Sequence, residues 1–316
     1  MAQVDDRPAG ARGGPGRVIR DYVAITKPRI IELLLVTAIP TMILAARGWP
    51  HLRVAVAVIV GGMLAAGGAN AFNSVYDRDI DAKMARTHAR PIAAGTVSVR
   101  GGVILASLLS VASLVVLGTL ANLLAALLGA IAIAFYAVGY TMLLKRRTPQ
   151  NIVWGGAAGC MPVLIAWAAV TGSLSWAPVI LFFIVFWWTP PHYWPLSLRY
   201  RDDYAAAGVP MLPVVAETSS VTRRIIVYSW IMVAFSLILI PVAGMGLVYS
   251  ISAVVLGAVF VVEAHLLGRR ARLLVDGGGS DVAQGRDIRP MRLFHWSITY
   301  LALLFLAVAV DPFIAG

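Results

Sequence analysis

The sequence predicts an all-α, polytopic membrane protein with nine transmembrane helices. Three observations predict it: a composition too apolar for a water-facing surface, nine apolar stretches of near-spanning length, and basic residues confined to alternate connections. Hydrophobic residues make up 59% of the 316 and charged residues only 13%, about half the charged share of a soluble domain. The stretches run roughly over 30–47, 52–74, 101–120, 122–143, 151–171, 175–196, 225–244, 247–267 and 294–313, each near the ~20 residues a helix needs to cross the hydrocarbon core. Helices are the spanning element because shorter alternating segments, the mark of a closed barrel, are absent.

The elements follow in order. Residues 1–20 are rich in Gly, Pro, Arg and Asp and read as a disordered cytoplasmic tail; no apolar run directly follows the start, so a cleaved secretory signal is not expected. Residues 21–316 form the membrane domain. Its net charge of +11 does not point to nucleic acid, because the bases sit in short runs between apolar stretches. All 26 Lys and Arg except Arg47 and Arg53 lie in the tail and first span entry or in the 2–3, 4–5, 6–7 and 8–9 connections. That asymmetry places the N-terminus and those connections in the cytoplasm and the C-terminus outside, in a multi-pass cell-membrane protein. The longer loops share the cytoplasmic face, so the site is expected there. Cys160, the single cysteine, excludes an internal disulfide and a thiolate cluster and reads as a small buried hydrophobe.

Three of the 15 acidic residues crowd into the end of span 2, Asn70-Ala71-Phe72-Asn73-Ser74-Val75-Tyr76-Asp77-Arg78-Asp79-Ile80-Asp81. On a continuing helix Asn70, Asn73, Asp77 and Asp81 share one stripe about 80° wide, and Asp79 falls on the opposite face. Carboxylates on adjacent turns at the end of a membrane helix repel each other unless a cation lies between them. Hard oxygen ligands of this kind suit Mg²⁺, which keeps waters and shares its shell with substrate phosphates. A solvated acidic loop is the bland alternative. A second acidic patch, Asp202-Asp203, follows span 6 on the same face, four spans on, and suggests a duplicated four-helix unit with a site between the halves. Asn73, Asp77, Asp81, Asp202 and Asp203 are therefore the candidate metal ligands. Two such clusters can hold Mg²⁺ around a diphosphate leaving group. In a membrane, the simplest substrate with that head is a polyprenyl diphosphate, whose allylic carbocation an apolar bundle shields from water. Lys27, Arg90 and Lys145 are candidate partners for the diphosphate, or else bases that only set topology.

The Asn73–Asp77–Asp81 pattern, followed by Arg86-Thr87 and Arg90-Pro91-Ile92, resembles the UbiA superfamily of intramembrane prenyltransferases. Thr26-Lys27-Pro28-Arg29, Asn151-Ile152-Val153-Trp154-Gly155-Gly156 and the stretch from Trp188 to Val215 are similar to its haem-prenylating branch. The resemblance covers roughly residues 20–310. It implies a UbiA-like bundle around a central cavity open to the cytoplasm. It also implies transfer of the farnesyl group of farnesyl diphosphate to the 2-vinyl group of haem B, with addition of water, giving haem O. The product would serve haem-copper oxidases, which brings haem A synthase or oxidase assembly proteins into view as partners. Asn73, Asp77, Asp81, Asp203 and His192 would be catalytic, with Mg²⁺ bridging the diphosphate. Many superfamily members carry a second DxxxD; here Ala207 stands four residues after Asp203, which leaves the second metal's ligands open.

Of the five histidines, His192 follows two prolines expected to break span 6 and open backbone to a cavity. It could ligate haem iron, hydrogen-bond a propionate, act as acid or base, or simply be a structural residue. Trp194 is a candidate haem contact; with Trp187, Trp188 and Tyr193 it could instead belong to an interfacial belt. Two rival readings stand beside this one. A prenyltransferase acting on an aromatic quinone precursor shares the ionisation chemistry but lacks need of a haem pocket. A transporter would place charge near the midplane, whereas these charges cluster at one end.

Overall fold

The computed structural model of the chain describes residues 14–276 and 288–314, and within them all side chains but those of 29–33, 275 and 276. Most of the expected tail, 1–13, and Arg286 of the last basic connection lie outside the described residues. Every regular element among the described residues is helical.

Among the described residues nine long helices stand where the nine apolar stretches lie: α2 (Pro28–Ala46), α3 (Leu52–Tyr76), α5 (Val99–Leu120), α6 (Leu123–Ala134) with a π-helical continuation (Phe135–Leu144), α7 (Asn151–Thr171), α8 (Trp176–Arg199), α11 (Thr218–Ala243), α12 (Leu247–Asp276) and α13 (Pro290–Ile314). Seven of them are long and apolar enough throughout to cross a membrane. In α2 the stretch whose side chains are described, Leu34–Ala46, is apolar, and α8 carries three prolines and a histidine in its second half. Short helices fill the rest: α1 (Pro15–Ile25), α4 (Arg78–Lys83), α9 (Arg201–Ala206) and α10 (Leu212–Val215).

Three sequence expectations change. Residues 15–20 are not tail but the start of α1. Its Val18, Tyr22 and Ile25 recur at helical spacing, a pattern that the Gly, Pro and Arg around it conceal. The prolines at 190, 191 and 195 do not break span 6: α8 runs through all of them. It packs against α7, α11 and α13, and such packing lets a membrane helix keep its course past missing amide donors. Helices α11, α12 and α13 also run beyond their apolar stretches at the loop-rich end, because arginine stems continue a helix while their heads reach water.

The bundle closes on itself: α2 touches α3, α7 and α13; α7 touches α6 and α8; α8 touches α11 and α13. α5, α11 and α12 line neither cavity. Cavity walls come from α2, α3, the π segment, α7, α8 and α13. At the opposite end the connections are tight, α7 and α11 each ending in a left-handed glycine, Gly172 and Gly244, which closes a helix without a Cβ clash. Exposed Trp49 and Trp176 mark that end, as an interfacial aromatic belt does.

Candidate active site

α3 ends at Asp77, where the backbone leaves helical geometry (ψ 5°) before α4 begins. The Asp81 amide still donates to the Asp77 carbonyl at 2.8 Å, so the helical register survives the bend. The stripe read from the sequence therefore persists. Asp77 and Asp81 are buried, whereas the Asp79 side chain is 57% exposed.

Each buried carboxylate has its cations. Asp77 takes the Lys145 ammonium on Oδ2, and the Asn73 amide donates to the same oxygen at 2.7 Å. Arg146 lies 3.6 Å from its Oδ1, which has no hydrogen-bond donor and is sealed from solvent. Asp81 receives the Arg90 guanidinium on both oxygens at 2.9 Å. Lys27 donates to Asn73 Oδ1 at 2.5 Å. It sits in the turn between α1 and α2 with φ 55°, a strained conformation for a side-chain-bearing residue. Burial, with Arg90 and Lys145 close by, pushes its ammonium down to about 7. Unpaired buried charges of this kind cost several kcal/mol each, so this many are brought together only where their partners are built in.

Lys145 reaches Asp77 because of the π segment. Its amide donates to Tyr140 O at 2.8 Å, five residues back, and Thr141 Oγ1 donates to Tyr136 O at 2.8 Å with the same spacing. Asn151 Nδ2 holds the Lys145 carbonyl at 3.0 Å. The wider turn also puts Tyr136 and Tyr140 in the cavity wall; π-turns in membrane helices commonly mark such sites.

Lys27, Asn73, Asp81, Arg90 and Lys145 form the mouth of a cavity of about 420 Å³, with Asp77 buried directly behind Asn73 and Lys145. Its other wall is aromatic. His192 stacks between Trp188 and Phe294, with ring centroids at 4.1 and 4.7 Å. Its Nδ1 meets Ser297 Oγ at 2.7 Å, and that hydroxyl donates to Phe294 O at 2.6 Å. Trp188 Nε1 donates to Ser297 O at 2.8 Å. A second cavity of about 130 Å³, walled by Ala65, Ala66, Ala69, Ala158 and Pro162, shares Leu34, Tyr136 and Gly159 with the first. The result is one charged mouth leading to an apolar branch and an aromatic branch.

The second acidic patch is placed differently from the expectation. Asp202 is exposed and Asp203 half-buried, and α9 turns Tyr204 into the cavity instead. The two long loops do meet, through Arg86, which reaches Tyr204 Oη at 3.5 Å and lies over the Tyr200 ring. Tyr204 also bonds Tyr193 at 2.9 Å. Among the described residues no three His, Cys, Asp or Glu converge to hold a metal alone. Asn73 and Asp77 are bonded to each other, and Asn73 and Asp81 line the same cavity, which Asp202 and Asp203 do not reach. The donor set still fits Mg²⁺: Asp77 Oδ1 is a buried oxygen without a donor, and a cation that shares its shell with phosphate and water needs few carboxylates. Trp194 is not in the cavity either. It is buried edge-on against Tyr228. Trp188 and Tyr193 line the cavity, so these two are not a surface belt.

Sequence reasoning passed over Arg146, Tyr136, Tyr140, Tyr204, Phe294 and Ser297. Arg146 pairs with Asp79 at 2.7 Å, which holds that carboxyl below its ordinary range. The Tyr136–Tyr140 spacing was the one available signal.

The UbiA prenyltransferase family profile matches residues 34–274. The protoheme IX farnesyltransferase of Clavibacter sepedonicus is 57% identical over 95% of this chain and 94% of the relative. The protein of the same name from Streptomyces avermitilis is 54% identical over 98% and 96%. A solved UbiA homologue from Archaeoglobus fulgidus, bound to GPP and Mg²⁺, shares the fold with a TM-score of 0.60 at 16% identity, over 92% of this chain and all of that one. By sequence, by fold and by the stripe at the end of α3, the chain belongs to the UbiA prenyltransferase family.

Proposed function

We propose that this protein transfers the farnesyl group of farnesyl diphosphate to the 2-vinyl group of haem B, with addition of water, releasing diphosphate and giving haem O. The observation that carries the reading is the shape of the site: a cation-rich mouth over two buried carboxylates, opening into one apolar and one aromatic branch. The relatives' shared name supports the acceptor.

The roles follow from the geometry. Lys27, Arg90, Lys145 and Arg146, with Arg86 at the rim, outnumber Asp77, Asp79 and Asp81. That excess of positive charge suits a polyanion and stabilises the charge on a departing diphosphate. Mg²⁺, held by Asn73, Asp77 and Asp81, would supply Lewis-acid neutralisation of that diphosphate. The branch lined by Ala65, Ala66, Ala69 and Ala158 takes the prenyl chain, and its dryness protects the allylic cation from early capture by water. The cation bonds to the terminal vinyl carbon. The positive charge then rests on the carbon next to the porphyrin ring, which takes a water oxygen and releases a proton. His192 serves the acceptor side. Since Ser297 spends its proton on Phe294 O, His192 Nδ1 carries the ring hydrogen, and Nε2 presents a lone pair to haem iron or to a proton. Asp202 and Asp203 act, if on the diphosphate, only after α9 turns; Trp194 supports the wall from behind.

The orientation proposed here puts the mouth and the N-terminus in the cytoplasm of a plasma-membrane protein, on the charge asymmetry alone. Haem A synthase or oxidase assembly proteins are the partners such a product calls for. Purified protein given farnesyl diphosphate, Mg²⁺ and either haem B or an aromatic quinone precursor tests the reading by mass spectrometry. Haem should gain one farnesyl group plus one water, and the aromatic acid nothing; prenylation of the aromatic acid alone would overturn it.

A further inference from the structure

α1 neither lines the cavity nor spans the membrane. At eleven residues it is too short to cross, yet its sequence is segregated into three faces. Ile25 is buried and Tyr22 half-buried, turned toward the bundle. Ile19 and Val23, one turn apart, are 65% and 50% exposed. Arg17 and Arg20 are exposed on a third side, beginning about 60° beyond Val23 at helical spacing.

Its level in the molecule is fixed by its contacts. Ile25 packs with Ala71 and Val75 at the end of α3, and with Ile92 and Val97 of the basic loop. The Tyr22 hydroxyl lies against Gly101, in the first turn of α5. This is where the spans give way to the Lys- and Arg-rich connections, the depth of a headgroup layer. A helix there with an exposed apolar stripe flanked by arginines is complementary to a bilayer surface bearing anionic headgroups: the stripe enters the acyl boundary and the guanidinium groups meet phosphate.

The far end of α1 is tied to the site. Ser74 Oγ donates to Ile25 O at 3.2 Å, and Asn70 Nδ2 donates to Thr26 O at 3.0 Å. The next residue is Lys27, in its left-handed turn and bonded to Asn73. We propose that α1 is an amphipathic anchor seated in an anionic headgroup layer, and that this seating holds Lys27 in the diphosphate mouth. The first half stands on the helix alone; the second rests on the function proposed above.

Cys160 is buried, so Ile19→Cys supplies a single reactive thiol for an environment-sensitive fluorophore. The labelled full chain is reconstituted in phosphatidylcholine vesicles with or without phosphatidylglycerol, using lipids brominated high on the acyl chain. The expected result is strong quenching in the anionic vesicles and several-fold weaker quenching without them, the difference vanishing in Arg17→Gln/Arg20→Gln. Quenching that is absent, or indifferent to lipid charge, overturns the anchor. Binding of farnesyl thiodiphosphate with Mg²⁺ tests the coupling: a several-fold lower Kd in anionic vesicles, lost in the arginine variant, supports it, and equal Kd overturns it. A wild-type protein that binds the analogue in neither membrane counts against the proposed function, while the quenching still judges the anchor.

Discussion

At the residue scale, Asp77 carries the heaviest constraint: fully buried, with Asn73 and Lys145 on one oxygen and Arg146 near the other. Removing Lys145 strips its closest cation. Lys145→Met is expected to lower turnover by about a hundredfold or more, the scale of losing one preorganised charge partner. It should also lower thermal stability, since breaking a buried pair costs about 3–5 kcal/mol. The double variant Asp77→Asn/Lys145→Met should recover the melting temperature but not the turnover; recovery of both would show that the pair is only structural. On the other wall, His192→Ala should raise KM for haem at least several-fold and leave KM for farnesyl diphosphate unchanged, as measured by varying one substrate at a time. The burial of Asp77 and Asp81 and the exposure of Asp79 were readable because a helix fixes angle from spacing. The placement of Asp202 and Asp203 away from the cavity was not, because α9 is a six-residue helix whose rotation is set by what Tyr204 packs against.

At the element scale, the π segment decides where two tyrosines and a lysine point. Gly155 of α7 makes room for it: a Cβ there would lie 2.2 Å from the Tyr140 ring. Gly155→Val should push Tyr140 into the cavity, cutting haem prenylation at least tenfold with little change in expression or membrane insertion, since the ring moves into open space rather than against backbone. An unchanged turnover would mean that the tyrosine wall is not in contact with substrate. Hydropathy located the nine long helices, seven of them apolar enough to cross a membrane, because burial in lipid demands a long apolar run. It missed α1, whose apolar residues are diluted by charge, and the π turn, where a shift from four- to five-residue hydrogen bonding leaves composition unaltered. The expectation that prolines would break α8 failed for another reason: its three prolines are held in a helix by packed neighbours that the sequence does not show.

At the scale of the whole molecule, charge and chain length are segregated to one end. The basic residues, the long loops and the cavity mouth coincide there, while the exposed Trp49 and Trp176 and the glycine-closed turns occupy the other. A transporter would carry its charge at mid-depth; this arrangement suits chemistry on a water-borne head and a membrane-borne tail. With Cys160 buried, Ala89→Cys and Ser173→Cys report the two ends separately. In intact cells a membrane-impermeant maleimide should label the Ser173→Cys protein and spare Ala89→Cys until the membrane is opened. The reverse pattern would turn the molecule over and place the mouth outside.

The central claim is that the carboxylates at the end of α3 grip a metal-bound diphosphate. The most direct test is prenylated-haem formation by Asp77→Ala and Asp81→Ala, beside wild type, in membranes holding equal amounts of each protein with Mg²⁺ present. Product is expected from wild type alone, abolished by chelation, with loss of at least about a hundredfold in both variants. Wild-type turnover in either variant would contradict it.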